Sequence, residues 1–241
     1  TGEYIITQSD ELVISSSNVP EFEGGYEVTC NGAFDGSLSI VVEGGTDSYS
    51  YSWSFSSEAI ANLSTLSPTE LEAFATSNSL SLSDLSIALN NTYSVSSTTT
   101  NNTGYSLTGL PAGEYTVVVQ DENGCSDTMT FTLVESDEVD ISAFNVPNFV
   151  GGINGETYQV SCNGALDGSI SITVDGGTEN YTFAWTGPNG FTSSLEDLTG
   201  LGAGTYVVVV QDENGCSDTM TFVLEESDEV EISASSVFEY A

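Results

Sequence analysis

Between Gly168 and Asp175 the chain alternates with a period of two. Ile170, Ile172 and Val174 stand on one side, Ser169, Ser171 and Thr173 on the other. That pattern predicts a strand with one buried face. Asp175-Gly-Gly-Thr follows as a turn. A second strand then points Tyr181, Phe183 and Trp185 one way, with Thr182 and Ala184 on the opposite face. Gly187-Pro-Asn-Gly190 reads as a loop, and Leu195, Leu198 and Leu201 lead to Gly202-Ala-Gly204 and Tyr206. Residues 206–211 and about 216–225 predict a last pair of strands around Asp212-Glu-Asn-Gly215. Asn-Gly favours a hairpin because both residues tolerate positive φ. After this turn Cys216, Asp218, Met220, Phe222 and Leu224 share a face, and Ser217, Thr219, Thr221 and Val223 point outward.

The same pattern occurs earlier in the chain. Val117–Phe131 and Val208–Phe222 are the identical fifteen residues VVVQDENGCSDTMTF. Cys30-Asn-Gly-Ala-Phe-Asp-Gly matches Cys162-Asn-Gly-Ala-Leu-Asp-Gly at an offset of 132. Leu107–Tyr115 matches Leu198–Tyr206 at an offset of 91, so the first copy carries 41 extra residues between Trp53 and Leu107. A third fragment, Ser9-Asp-Glu-Leu-Val-Ile-Ser15, matches Ser136–Ser142 and Ser227–Ser233. These offsets predict two complete modules, 9–135 and 136–227. Residues 1–8 would be the last strand of a preceding repeat, and 228–241 the first strand of a following one. The absence of an initiator Met and of a signal peptide fits a mature fragment or a piece of something longer.

Short strands with regular turns over roughly 90 residues predict an all-β fold. Its modules would be tandem β-sandwiches of immunoglobulin or fibronectin III type, with Trp53 and Trp185 in their cores. Tyr115 and Tyr206, each opening a late strand, resemble a tyrosine corner. The first module carries an inserted lobe at about 54–104. There Ser67-Pro-Thr-Glu70, ahead of Leu71, Ala73, Phe74 and Ala75, forms a capping box with Pro at the first helical position. It predicts a short helix over Pro68–Thr76. The Ser/Thr/Asn-rich run that follows is either a binding loop on a rigid scaffold or a decorative side lobe.

Composition narrows the chemistry. The chain has 36 Asp plus Glu, no Lys, Arg or His, and a formal net charge of −36. Without His or Lys, imidazole-based nucleophile pairs, imidazole metal ligands and Schiff bases are excluded. Without cationic side chains, nucleic-acid binding and docking on anionic lipid are disfavoured. No apolar run reaches transmembrane length. Carboxylate-pair chemistry stays open, but no cleft-forming pattern accompanies it. The acidity fits a solvated surface or a few structural Ca²⁺ sites. The recurring Ser-Asp-Glu at the module joints supplies the Ca²⁺ candidates Asp137, Glu138, Asp228 and Glu229. No cofactor is required by any motif.

Each module has two cysteines, Cys30 and Cys125, then Cys162 and Cys216. Four cysteines allow three connectivities. The separations, 95 and 54, differ only by the insertion. Equal geometry in both copies therefore favours Cys30–Cys125 and Cys162–Cys216, in an oxidising, extracytoplasmic setting.

Taken together, Cys-Asn-Gly-Ala-x-Asp-Gly-Ser-x-Ser-Ile, Gly-Gly-Thr, Tyr-x-x-x-Trp, Leu-x-Gly-Leu-x-Ala-Gly-x-Tyr and Gln-Asp-Glu-Asn-Gly-Cys resemble the SprB-type repeat of giant surface adhesins in gliding Bacteroidota. The resemblance covers nearly all of the second module and both ends of the first, and the insertion departs from it. It implies secretion by the type IX route, display on the extracellular cell surface, and contact with neighbouring repeats, substrata or polysaccharides, without catalysis. In that group of bacteria, Asp-Ser/Thr before an apolar residue is also an O-glycan acceptor. Asp127-Thr128-Met129 and Asp218-Thr219-Met220 fit it, which makes Thr128 and Thr219 candidate attachment points. The expected role is an adhesin stalk; the alternative is a carbohydrate-binding module, Ca²⁺-assisted, built on the insertion.

Overall fold

The structure is a computed structural model that describes residues 8–46, 48–80, 85, 94–97, 104–151 and 156–231. It divides into two compact units, Thr1–Asp137 and Glu138–Ala241. The expected end strands at 1–8 and 228–241 lie largely outside the described residues, and 228–231 form no strand.

The first unit is a sandwich of two antiparallel sheets. Strands β1 (Val13–Asn18), β2 (Gly36–Glu43), β3 (Ser50–Phe55), β4 (Ser94–Ser97), β5 (Gly104–Leu110), β6 (Gly113–Gln120) and β7 (Ser126–Leu133) arrange as β1-β2-β5 and β4-β3-β6-β7. The alternation translates directly into burial. In β3, Tyr51, Trp53 and Phe55 are buried, and the serines between them are half-buried. In β6, Tyr115, Val117 and Val119 are buried, while Glu114, Val118 and Gln120 are exposed. Leu38, Ile40 and Val42 of β2 close the core from the other sheet.

The second unit repeats this plan with β8 (Asp140–Asn145), β9 (Phe149–Gly151), β10 (Glu156–Tyr158), β11 (Gly168–Asp175), β12 (Thr182–Thr186), β13 (Thr192–Ser193), β14 (Leu198–Leu201), β15 (Gly204–Gln211) and β16 (Ser217–Leu224). Its sheets are β14-β11-β8 and β13-β12-β15-β16, with β9 and β10 as a small separate hairpin. Trp185 is buried beside Phe222. The tyrosine-corner reading holds in both units. The Tyr115 hydroxyl donates to the Pro111 carbonyl at 2.7 Å, and Tyr206 to that of Gly202 at 3.0 Å.

The insertion contains two helices, α1 (Ser57–Leu63) and α2 (Pro68–Ser77). The capping box at Ser67 and Glu70 is present as expected, and α2 runs one residue past the predicted end. Sequence reading missed α1. It is only two turns long, too short to show a helical period. Its local signal is the N-cap Ser56, which accepts from the Ala59 N–H at 3.3 Å and also from the Glu114 N–H at 3.0 Å. The lobe is not a loose decoration. Ala59, Leu63, Phe74, Ala75, Leu80 and Leu85 belong to the same buried cluster as Trp53 and Tyr115.

Asn78 ties this lobe to the sheet. Its side chain is 2 % exposed. The amide nitrogen donates to the Phe74 and Thr108 carbonyls at 2.9 and 3.0 Å, and the amide oxygen accepts the Thr108 N–H at 2.7 Å. The amide thus meets both backbone groups of Thr108 on β5 and serves as a one-residue strand partner.

The hairpin turn differs from the expectation. Gly124 and Gly215 adopt positive φ (88° and 92°), but Asn123 and Asn214 do not. The turn is closed by the Gly124 and Gly215 N–H groups donating back to Asp121 and Asp212. A single left-handed glycine after an ordinary turn carries the reversal, in place of two left-handed residues.

Candidate functional sites at the two ends of each sandwich

In each sandwich the chain comes in at one end and leaves at the other. In the first unit the leading end holds the start of β1 and the β6–β7 turn, since Val13 pairs with Glu43 and Gln120 with Ser126. The trailing end holds the start of β2 and the end of β7, since Gly36 pairs with Leu110 and Gly113 with Leu133. Unit two has the same polarity, with Asp140 paired to Asp175 at its leading end and Gly204 to Leu224 at its trailing end.

Asp121 and Asp212, from the repeated stretch, organise the leading ends. Both are 5 % exposed. Asp121 accepts from the N–H groups of Asn123 and Cys125 (3.0 and 2.8 Å) on one oxygen. Its other oxygen accepts from the N–H and hydroxyl of Thr46, both at 3.0 Å. Asp212 accepts from the Cys216 N–H at 2.8 Å and from Thr178 at 2.8 and 2.9 Å. Burial pushes the Asp121 carboxyl up, but the hydrogen bonds from Cys125, Thr46 and Asn123 outweigh it, and its pKa lies below the usual carboxylate value. These carboxylates are saturated with donors, so they are turn braces and not free acids or bases.

Asp127 and Asp218, the acidic residues of the candidate glycan sequence, are also engaged. One oxygen accepts the Ile14 N–H at 2.8 Å, and Asp218 takes that of Ile141 at 3.0 Å. Both contacts sit at bulges, where β1 and β8 shift register and an N–H is left out of the ladder. The second oxygen accepts the N–H of Thr128 or Thr219. Thr128 and Thr219 themselves are exposed, each on a strand at the edge of its sheet.

The trailing ends are built by the Cys-Asn-Gly-Ala-x-Asp-Gly motif. The Ala33 N–H donates to the Cys30 carbonyl at 2.9 Å, with Gly32 at φ 71°. The Glu135 carboxylate receives the Gly32 N–H at 2.8 Å and the Asn31 amide at 3.3 Å. Gly164 and Asn163 bind Glu226 in the same way, at 2.8 and 3.2 Å. The motif's Asp closes the loop: Asp35 accepts from Thr29, and Asp167 accepts from Ser161. The Ser161 side chain and backbone together hold the Asp167 carboxyl below its usual value. Gly36 is required by packing, because a Cβ there would stand 2.7 Å from the Leu110 carbonyl oxygen and from Leu133.

This layout overturns the expected cysteine pairs. Cys125 sits on the leading-end turn and Cys30 on the trailing-end loop. The eight residues of β7 run between those ends, a span of roughly 26 Å at strand rise. A disulfide needs Cα atoms within about 7 Å. Cys216 and Cys162 are separated in the same way by β16. Accordingly, neither Cys30–Cys125 nor Cys162–Cys216 is formed. Cys125 and Cys162 carry free thiols and are exposed, whereas Cys30 and Cys216 are disulfide-bonded. Equal spacing in two repeats shows that the cysteines occupy equivalent places; it does not show that the two places are adjacent.

Asp137, Glu138, Asp228 and Glu229 are exposed. No group of three or more His, Cys, Asp or Glu able to hold a metal occurs among the described residues. The tyrosines and asparagines expected to line a sugar site on the insertion fall mostly at 86–103, largely outside the described residues. What the described lobe offers is a shallow apolar groove between α2 and Phe34, floored by Leu66, Phe74 and Thr108. No helix is long and apolar enough to cross a membrane among the described residues.

No curated protein matches the chain. Among solved structures, a C-terminal fragment of intimin in complex with the intimin-binding domain of its translocated receptor is 13% identical, with a TM-score of 0.37, over 88% of this chain and 64% of that one. An amphioxus IgVJ-C2 molecule is 14% identical, with a TM-score of 0.27, over 81% and 97%. A tetra-tandem repeat from the extending region of a large adhesion protein is 18% identical, with a TM-score of 0.26, over 90% and 50%. The chain therefore spans less than two thirds of the intimin fragment and half of the tetra-tandem repeat. The SprB repeat family matches at residues 27–56 and 154–190. These segments hold the trailing-end loop, β2 and β3 of the first sandwich and β10, β11 and β12 of the second, so each unit contains a stretch similar to the SprB repeat.

Proposed function

We propose that this chain is a repeat region of a secreted, filamentous cell-surface adhesin, acting as an extended stalk for attachment or gliding. One observation carries the reading. In both sandwiches the chain enters at one end and leaves at the opposite end, the polarity that a stalk of successive repeats requires. The donor-saturated carboxylates and the lack of His, Lys and Arg support a scaffold in preference to a catalyst. Its partners are neighbouring repeats and extracellular surfaces or polysaccharides. Gold-labelled antibody against the chain, applied to intact producing cells, tests the reading. Label along thin surface filaments is expected. Label confined to the cell interior, or a compact scattering profile for the isolated chain, overturns it.

The carbohydrate-binding alternative rests on the groove between α2 and Phe34. Glycan-array binding that is lost in Phe34→Ala and retained after truncation of the second unit would favour it over a bare stalk. Thr128 and Thr219 are proposed as glycan attachment points, supported by their exposure in both copies.

A further inference from the structure

We propose that the second sandwich carries a binding groove for a neutral polysaccharide, between its edge strands β8 and β16. The proposal rests on extracellular polysaccharide being a partner of this chain and not on the stalk. The groove shares no residue with the one beside α2.

Strands β8 and β16 are each outermost in their sheets. They are fastened near one end by Asp218, which accepts the Ile141 N–H at 3.0 Å. Just after β16, the Glu225 carbonyl accepts the N–H groups of Gln159 and Val160. Between these fastenings lies a groove of about 520 Å³, within the range of about 300–1,000 Å³ usual for ligand sites. Phe144, Val146, Met220 and Phe222 supply its apolar lining. Phe144 is 60 % exposed and meets the buried Phe222 edge to face, ring centres 5.4 Å apart. Asn148 and Gln159 add two amides. The Gln159 oxygen accepts the Glu225 N–H at 2.9 Å, and its nitrogen donates to the Asn148 amide oxygen at 2.8 Å. Asn148 is thus held by its oxygen, and its NH₂ group is a donor for a ligand.

The first sandwich has other residues at half of these positions. Ser17 stands in place of Phe144, each paired to the equivalent isoleucine, Ile40 or Ile172. Asn18-Val-Pro-Glu-Phe22 matches Asn145-Val-Pro-Asn-Phe149, so Glu21 stands in place of Asn148. Glu27 stands in place of Gln159 and accepts the Val134 N–H as Gln159 accepts that of Glu225. The brace works with either residue, so the fold does not require the amide. Thr132 stands in place of Val223. Val146, Met220, Thr221 and Phe222 recur as Val19, Met129, Thr130 and Phe131. The second copy also has the hairpin β9–β10 between Asn148 and Gln159, where the first runs directly from Gly25 to Tyr26. Each of the four substitutions adds apolar surface or removes a carboxylate. None of the described residues lining the groove is Asp or Glu, in a chain that has 36 of them.

Charge selects the occupant. The groove offers no cation to an acidic polymer, and a net charge of −36 repels one, a second copy of this chain included. A cationic ligand finds no carboxylate there to pair with. A neutral sugar chain matches what is present. The C–H face of a pyranose ring covers an exposed aromatic ring, and its hydroxyls exchange hydrogen bonds with uncharged amides.

The test is affinity electrophoresis of the full chain through native gels, each containing dextran, laminarin or mannan, with alginate as the acidic comparator. Mobility is read relative to a gel without polysaccharide. Retardation by at least one neutral polysaccharide, and none by alginate, is expected. The variant Phe144→Ser/Asn148→Glu/Gln159→Glu carries residues with which the first sandwich folds. It should weaken binding by about tenfold or more and leave the Trp185 unfolding transition cooperative. Phe144→Ser alone, at an exposed position, should weaken binding in the same direction. Retardation unchanged in both variants, or lost in Phe34→Ala instead, overturns the proposal. So does retardation by none of the neutral polysaccharides, or stronger retardation by alginate. A labelled peptide of alternating Thr and Val that binds through Phe144 while no polysaccharide does would assign the groove to strand pairing on β16 and overturn it too. Each of these failures leaves the surface-labelling test of the stalk untouched.

Discussion

Replacing Asn78 with Ala removes the amide that bonds the inserted lobe to β5. The structure gives this side chain a long contact to the Ser77 hydroxyl and three shorter hydrogen bonds, to Phe74 and to both backbone groups of Thr108, in a position that is 2 % exposed. Each such bond contributes roughly 0.5–1.5 kcal/mol net, and the Thr108 groups lose their partner inside a packed site, so a loss of about 3 kcal/mol is expected. With a urea slope of roughly 1–3 kcal/mol/M, the midpoint falls by about 1–3 M. The chain supplies its own reporters, because it has two tryptophans, Trp53 in the first unit and Trp185 in the second. Fluorescence of a Trp185→Phe background follows the first unit alone, and of a Trp53→Phe background the second. Asn78→Ala should move the Trp53 transition and leave the Trp185 transition in place. A Trp53 midpoint shifted by less than a few tenths molar would refute the reasoning, because the lobe would then be held by apolar contacts alone. Equal shifts of both transitions would refute it too, because the amide would not be acting locally. Asn78→Asp should be no better than Ala, since a carboxylate cannot donate to the Phe74 and Thr108 carbonyls.

Four further outcomes are expected. Gly36→Ala and Gly168→Ala each force a methyl against a neighbouring carbonyl and a leucine and should lower the stability of their own unit by about 1–3 kcal/mol, read by the same single-tryptophan melts. Asp121 has a folded pKa below its ordinary value, so its stabilisation is present above the unfolded pKa and is lost as pH falls through the folded one; Asp121→Asn should flatten the acid limb of the first unit's stability profile, and an unchanged acid limb would refute the brace. Intact mass of native material should show sugar that disappears in Thr128→Ala and Thr219→Ala with unchanged melting; absence of sugar on both threonines would end that proposal. Chelation should leave melting of both units unchanged, as the exposed Asp137, Glu138, Asp228 and Glu229 form no cluster among the described residues; a rise in melting temperature with added Ca²⁺ would restore them as ligands.

The sequence by itself determined the main alternating strands and α2. These depend on short-range patterns: period-two alternation in β2, β3, β11 and β16, glycine-bearing turns at 124 and 215, and the Ser67–Glu70 capping box. The outward aim of Thr128 and Thr219 was legible too, because side-chain direction in a strand follows parity from its buried neighbours. Helix α1 was hidden because two turns give no measurable period and its N-cap is shared with a backbone group on β6. Asp121, Asp127 and Glu135 looked like generic acidity, because each one also holds a group that lies 75 to 113 residues away in the chain. Tertiary structure alone decided that the insertion belongs to the core, through Asn78 and Phe74 meeting β5. It also decided the cysteine chemistry. Spacing is preserved by any duplication, whatever the two positions are near. Adjacency depends on which end of an eight-residue strand each loop caps. Cys30 and Cys125 cap opposite ends, so a bond between them would have to cross the length of the sandwich.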